Sequence, residues 1–179
     1  DNAVTGTLES FDLTDVGYEA LDATVHRVEQ RGILTADANF LYGLCKQFSS
    51  LRGAVLSSSW QQAKDISAMI KKKIVGPDNK VLPKIPKNCL KEAQLCYSFS
   101  EDRLLVASMT DALRDKAVVG VGSNLSLAKG KLDMLKDVIK RVEAVKCQTV
   151  ESIDLFKKVK SFYELREAIK NSDWSEISK

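Results

Sequence analysis

Apolar residues recur along this chain at the spacing of amphipathic α-helices. Leu21, Val25 and Val28 follow the i, i+4, i+7 pattern and therefore share one face of a predicted helix. A second apolar stripe consists of Leu41, Cys45, Phe48, Leu51 and Val55. Thr35 lies between the two stripes and is followed two residues later by an acid, so it is a candidate N-cap for the second helix. The pattern predicts a helical hairpin.

The chain contains a second copy of this hairpin pattern. A shift of 114 positions aligns residues 15–65 with residues 129–179 without a gap, and 13 of the 51 aligned positions are identical. Thr149 then takes the place of Thr35. The matching apolar stripe consists of Leu155, Val159, Phe162, Leu165 and Ile169. A fainter third copy lies between the two, over residues 112–135, and aligns if three residues are inserted. Internal similarity of this kind indicates stacked, related structural units.

Both strong copies end in a similar corner, SSLRGAVLSSSW at residues 49–60 and YELREAIKNSDW at residues 163–174. We expect Leu-Arg-x-Ala to form the last buried turn of one helix. Ser59 or Asp173 then caps the next helix, and the tryptophan packs back onto the pair just formed. The predicted anchors of the repeat are Phe48, Leu51, Trp60, Phe162, Leu165 and Trp174. The corner is too short to indicate a protein family.

These patterns predict an all-α fold of stacked antiparallel helical hairpins, an elongated helical bundle of six to seven helices. The predicted helices cover residues 14–31, 36–57, 60–75, 88–118, 125–146 and 150–171, with a seventh from Trp174. The fourth is either continuous or broken near residues 98–100. The expected hairpin units are 14–57, 60–118 and 125–171, within a single helical-repeat domain over residues 1–179 that we expect to be part of a larger protein.

The net charge of +3 is unevenly distributed along the chain. Residues 1–45 carry two basic and eight acidic groups, a balance of −6, whereas residues 46–91 carry ten basic and two acidic groups, a balance of +8. The lysines that cluster around the proline-containing loop at residues 76–87 are Lys71, Lys72, Lys73, Lys80, Lys84, Lys87 and Lys91. Such a cluster favours an acidic protein surface or an anionic membrane as partner. The alternative is a solvated helix end, because lysines are favoured at helix C-termini.

Nucleic acid is the least favoured anionic partner. The cluster is nearly all lysine and lacks both arginine forks for base edges and interleaved aromatic rings for base stacking. A second basic run, Lys157, Lys158 and Lys160, faces away from the apolar stripe of its helix and is expected to be a solvated face.

The segments that resemble catalytic or cofactor sites do not meet the requirements of those sites. VVGVGSNLSLAKGK, residues 118–131, lacks the P-loop spacing and has leucine where a dinucleotide fingerprint needs its third glycine. We expect a helix–helix link capped by Ser123 or Asn124 there. His26 is the only histidine and is expected on a solvated helix face, and the adjacent acids Glu101 and Asp102 are expected at the surface. The sequence therefore predicts neither an enzyme nor a cofactor or metal site.

Cysteine usage and hydropathy bear on the cellular setting. The four cysteines lack a Cys-x-x-Cys spacing, and Cys89 and Cys96 are about 10.5 Å apart if they share a helix, too far for a disulfide. Buried free thiols in a reducing cytoplasm are expected. No apolar run reaches the length of a membrane-spanning helix.

We therefore expect a non-enzymatic protein–protein interaction or scaffold segment of a larger intracellular protein, in a cytoskeletal, ciliary or trafficking setting. The alternative is a helical module that binds an anionic partner through its lysine-rich loop. No small-molecule substrate is expected.

Overall fold

A computed structural model of the chain describes residues 4–5, 7–9, 11–13, 15–32, 35–114, 118–119, 126–127 and 130–171. Within these ranges the helices are α1 (Asp15–Arg31), α2 (Ala36–Leu56), α3 (Trp60–Ile74), α4 (Lys87–Arg114), α5 (Lys131–Val145) and α6 (Val150–Lys170). There are also four two-residue strands, which form two antiparallel pairs. Strand β1 (Val4–Thr5) pairs with β2 (Asp12–Leu13), and β3 (Val118–Val119) pairs with β4 (Ser126–Leu127). The predicted all-α fold with about six helices is confirmed.

Most helix bounds lie within one residue of those predicted, and the exceptions surround the link between α4 and α5. Helix α4 is continuous through residues 98–100 but ends at Arg114 rather than at residue 118. Helix α5 begins at Lys131 rather than at residue 125, because β3 and β4 pair with each other in the intervening segment. Gly130, at φ 79°, precedes α5 in place of a polar cap. The expected caps Ser123 and Asn124 and the seventh helix from Trp174 lie outside the described residues.

The chain divides into two compact units, Asp1–Glu101 (unit 1) and Asp102–Lys179 (unit 2), and α4 contributes residues to both. Helices α1 and α2 are antiparallel, because Lys46 contacts Glu29 while Ser49 contacts Asp22. Buried residues of α2, α3, α4 and the loop before α4 form the core of unit 1: Leu44, Phe48, Leu51, Ala54, Val55, Ala63, Ile66, Ile70, Ile74, Ile85, Ala93 and Cys96.

The corner between α2 and α3 places Trp60 at the start of α3, half-buried against this core. Its ring meets the ring of Phe99 edge-on at a centroid distance of 5.5 Å, and Phe11 stacks on Phe99 at 4.2 Å. Ser59 precedes α3 as predicted, but its side chain makes no capping hydrogen bond; its hydroxyl lies 3.0 Å from that of Ser57. The matching residues of the second corner, Ser172, Asp173 and Trp174, lie outside the described ranges.

Unit 2 has a separate core formed by α5, α6 and the part of α4 beyond Glu101. The buried apolar residues of this core are Leu105, Met109, Ala112, Leu135, Val142 and Val159. Asp102 has no exposed surface and accepts hydrogen bonds of 2.6 Å from the hydroxyls of both Thr149 and Ser152 at the start of α6. The prediction that Asp102 lies at the surface is therefore wrong, because these hydroxyls compensate the loss of water around its carboxylate.

The two predicted copies of the hairpin share individual side-chain contacts. The hydroxyls of Thr35 and Thr149 accept a hydrogen bond from the backbone amide three residues later, which confirms both as N-caps. Lys46 Nζ lies 3.0 Å from Glu29 Oε1, and at the matching positions Lys160 Nζ lies 3.2 Å from Glu143 Oε1. Each lysine also lies over the aromatic ring four residues before it, 5.4 and 4.7 Å from the ring centroid. The two copies thus share an N-cap, a salt bridge and a contact between a lysine and an aromatic ring.

Burial, however, differs between the copies. Phe48 and Leu51 are 5% and 0% exposed in the core that α2 shares with α3. Their counterparts Phe162 and Leu165 are 45% and 36% exposed, so the prediction that they anchor a buried stripe is wrong. Helix α6 instead buries the face that carries Val159 and Arg166, 0% and 3% exposed.

Candidate anion-binding groove

The last turn of α3 carries three consecutive lysines, Lys71, Lys72 and Lys73. Positive side chains are favoured there because the free carbonyl groups at a helix C-terminus carry partial negative charge. An amphipathic helix cannot direct three consecutive residues to one face, since each residue turns the chain by about 100°. The three ammonium groups are therefore divided between different faces of α3.

The loop after α3, residues 75–86, is internally bonded. Val75 pairs with Val81 in an isolated antiparallel bridge, and Gly76 N donates a 2.9 Å hydrogen bond to the carbonyl of Lys80. This one-residue bridge ends before Pro83, so the missing proline N–H does not interfere with it. The loop returns to the core at Ile85, which is 5% exposed.

A groove with a volume of about 550 Å³ lies between α3 and α4, and this loop borders it. We call it the α3–α4 groove. The α3 side is lined by Ser67, Ala68, Lys71 and Lys72. The loop contributes Val75, Gly76 and Asn79. The α4 side is lined by Ala93, Gln94, Tyr97 and Ser98. The groove thus combines two cations, several neutral polar groups and small apolar side chains.

The structure brings only two of the seven predicted lysines, Lys71 and Lys72, into the lining of this groove. Lys73 turns towards α2 instead, where its Nζ lies 5.5 Å from the centroid of the Phe40 ring. Lys84 forms a salt bridge with Asp37 at the start of α2. The predicted cluster is therefore divided between the groove and the α2 side of the loop.

The remaining predicted lysines are exposed. The ammonium group of Lys80 lies 3.9 Å from Asp78, and both side chains are solvated. Lys87 and Lys91 are exposed in the first part of α4. Lys87, Lys91 and Gln94 follow the i, i+4, i+7 pattern, so the two lysines lie on the face of α4 that lines the groove at Gln94.

Ser67 is the groove residue whose environment is least expected. Its side chain is buried, with 1% of the residue exposed, and its hydroxyl makes no hydrogen bond within the described part of the chain. A buried hydroxyl without a partner costs free energy, on the order of 1–3 kcal/mol. Sequence reasoning missed Ser67, although it lies four residues before Lys71 and so on the same face of α3.

The other polar residues considered in the sequence have structural or surface roles. His26 is exposed, and its Nε2 lies 3.0 Å from the side-chain nitrogen of Gln30. Lys157 forms a salt bridge of 2.8 Å with Asp154 on the exposed side of α6. Burial raises the pKa of the Cys96 thiol to about 12, which keeps this thiol protonated at neutral pH.

Over the described ranges, no three histidine, cysteine or acidic side chains come together in a way that could hold a metal ion. None of the described helices combines the length and the apolar character needed to cross a membrane. No protein-family model matches the chain, and no curated protein and no solved structure is significantly similar to it.

Proposed function

We propose that this chain is a non-enzymatic protein–protein interaction or scaffold segment of an intracellular protein. The observation that carries this proposal is the exposure of Phe162 and Leu165 on α6, at positions where the first copy of the hairpin buries Phe48 and Leu51. Two large apolar side chains three residues apart on one helix form a contiguous patch rather than isolated surface residues. Patches of this kind mark surfaces that bind other proteins.

Affinity capture with paired variants tests this proposal. The double variant Phe162→Asp and Leu165→Asp removes the patch, and Leu56→Asp is the matched control because Leu56 is 54% exposed on α2. Partners captured by the wild-type chain and the control, but lost by the double variant, are then purified, and their binding is measured by calorimetry. A purified partner that binds both variants equally well contradicts a role for the α6 patch.

The second candidate function is the binding of an anionic partner, and the α3–α4 groove specifically favours it. Lys71 and Lys72 lie in the groove, and Lys87 and Lys91 extend its basic character along α4. An acidic protein surface fits this arrangement better than nucleic acid, because the lining contains no arginine.

Salt dependence separates the two candidates. Binding through the lysines weakens steeply between low and high salt and is abolished by changing Lys71, Lys72, Lys73 and Lys84 to glutamate. Binding through the α6 patch is insensitive to salt and to these four substitutions.

An intracellular location is supported by the cysteines. All four are free, and Cys96 is fully buried. Free thiols persist in a reducing compartment. Expression with a fluorescent tag, followed by thiol labelling in intact and in lysed cells, tests this part of the proposal.

A further inference from the structure

The α3–α4 groove of unit 1 combines charge, hydrogen-bonding capacity and apolar surface in one concave site. We propose that this groove binds an acidic peptide segment of another protein, with its carboxylates at Lys71 and Lys72 and an apolar side chain against the groove floor. The inference rests on the second candidate function above and gives it a ligand class and a location.

Among the described residues of unit 1, no carboxylate pairs with the cations of the groove. No aspartate or glutamate lines the groove, and within the described ranges no carboxylate forms a salt bridge with Lys71 or Lys72. The acid nearest in sequence, Asp78, accepts a hydrogen bond from the backbone of Lys80 and lies 3.9 Å from its ammonium group. Both groove cations are therefore available to an external anion.

The buried hydroxyl of Ser67 supplies an observation that is independent of charge. It lies in the groove lining and has no hydrogen-bond partner among the described residues. Because the oxygen itself is buried, a ligand that offers a carbonyl or an N–H group satisfies it only after the side chain rotates towards the groove, which removes the cost of leaving it unpaired. Peptide backbone offers both groups, and Asn79 and Gln94 can bond to it as well.

The dimensions of the groove suit a short peptide segment. Its α3 wall runs from Ser67 to Lys72, a rise of about 7.5 Å along the helix, which two to three extended residues span. Its volume lies within the range of about 300–1,000 Å³ that is typical of ligand sites. Ala68 and Ala93 leave room for an apolar side chain, which inorganic phosphate lacks and which a flat membrane surface cannot insert without distortion.

The binding experiment uses the full chain and a synthetic acidic peptide in which leucines alternate with pairs of glutamates. The double variant Lys71→Glu and Lys72→Glu removes the cations. Ala68→Trp fills the groove and leaves the charge unchanged; Ala68 is exposed, so the larger ring does not disturb the core. The charge-matched control is Lys157→Glu with Lys158→Glu on α6, and circular dichroism checks the fold of each variant.

We expect the wild-type chain and the α6 control to bind the peptide alike, and both groove variants to bind it at least about tenfold more weakly. A second peptide, with glycine in place of leucine, should also bind about tenfold more weakly. Inorganic phosphate and vesicles of phosphatidylserine with phosphatidylcholine serve as competing anions. Tighter binding to either competitor than to the leucine peptide would overturn the inference.

The groove variants separate this inference from the broader anionic candidate. If Ala68→Trp binds normally while Lys71→Glu with Lys72→Glu does not, the anion binds on the lysine surface and the groove is not its site. If the peptide does not bind at all, the groove inference and the anionic candidate both fail. If both groove variants bind it as the wild-type chain does, the groove inference fails, and the variant with glutamate at Lys71, Lys72, Lys73 and Lys84 decides the anionic candidate.

Discussion

The carboxylate of Asp102 on α4 accepts a 2.6 Å hydrogen bond from the hydroxyl of Thr149, the N-cap of α6. The same carboxylate also accepts hydrogen bonds from the Ser152 hydroxyl and from the backbone amide of Gln148, at 2.6 and 2.9 Å. One buried carboxylate thus accepts hydrogen bonds from three donors at the start of α6, where the first backbone amides have no partners within the helix. This arrangement ties α6 to α4 within unit 2.

We expect Asp102→Ala to destabilise unit 2 by about 2–4 kcal/mol, because it leaves buried donors without their charged acceptor. Hydrogen exchange measures the effect locally, and the amides of the first turns of α6 should lose most protection. Asp111→Ala is the control, since this acid lies on the same helix and its side chain is 75% exposed. Equal protection in the two variants would contradict a role for Asp102 in holding α6.

The helices were predictable because their signals are local. Apolar spacing marked α2 and α6, and Thr35 and Thr149 marked their first residues by a bond to a backbone amide only three residues away. The hydrogen-bond partners of Asp102 lie 46 to 50 residues further along the chain. The residues next to Asp102 in sequence therefore indicated only an acid at the protein surface. The start of α5 was missed for a similar reason, since the pairing of β3 with β4 depends on contacts between segments.

The candidate groove was only partly predictable. The cluster of lysines was visible in the sequence, but which of them share a surface depends on how α3 packs against α4. Ser67 and Gln94 carry no charge and belong to no motif, so only the packing of the two helices brings them together in the groove. The repeat identified Phe162 as the counterpart of Phe48 but could not show which face of α6 is buried.

The unequal burial of Phe48 and Phe162 predicts unequal costs of the same substitution. Phe48→Ala should destabilise the chain by about 3–5 kcal/mol, because it leaves a cavity in the unit 1 core. Phe162→Ala should change stability by no more than about 0.5 kcal/mol, as is usual for surface positions. Urea unfolding of the two variants measures both values. Similar losses at the two positions would mean that Phe162 is covered in the folded chain.

The bidentate pair of Arg52 and Glu92 predicts strong coupling between α2 and α4. Arg52 Nε and Nη2 donate hydrogen bonds of 2.8 and 3.0 Å to the two oxygens of Glu92, and both side chains are about nine-tenths buried. Arg52→Met alone should cost about 3–5 kcal/mol, because it leaves a buried carboxylate unpaired. Adding Glu92→Leu should recover a large part of this loss in a double-mutant cycle. Strictly additive losses would show that the two groups are not coupled.

Tyr42 distinguishes the first copy of the hairpin from the second, which has Phe156 at this position. The Tyr42 hydroxyl donates a 2.7 Å hydrogen bond to Glu29, and this bond, with the contact from Lys46, lowers the pKa of Glu29. The same bond raises the pKa of Tyr42. The contact therefore contributes fully between the unfolded-state pKa values of the two groups; the contribution is lost as pH falls through the lowered pKa of Glu29 or rises through the raised pKa of Tyr42.

Tyr42→Phe makes the first copy resemble the second at this position. We expect the pKa of Glu29 in this variant to rise towards its ordinary value but to stay below it, because Lys46 remains in place. Carboxyl chemical shifts followed during an acid titration measure this change. The carboxyl of Asp154, whose pKa is lowered by Lys157 on α6, is the internal reference and should not move. An unchanged Glu29 titration would show that the tyrosine hydroxyl does not bond to it in solution.

Burial of Cys96 predicts a loss of stability at alkaline pH. The apolar surroundings raise the pKa of this thiol to about 12, whereas cysteine in an unfolded chain ionises near about 8.5. A group whose pKa is raised in the folded state contributes fully to stability below its unfolded pKa, and the contribution declines as pH rises towards the folded value.

Lysines and tyrosines also titrate in this range, so the wild-type curve alone does not isolate the thiol. The informative quantity is the difference between the wild-type chain and Cys96→Ala in urea unfolding at pH values of about 7 and 10. We expect the free energy of unfolding to fall more steeply with pH in the wild-type chain. Only this chain has a thiol that stays protonated when buried and ionises when the chain unfolds. Parallel pH dependence in the two proteins, or rapid labelling of Cys96 by a thiol reagent under native conditions, would contradict its burial in the unit 1 core.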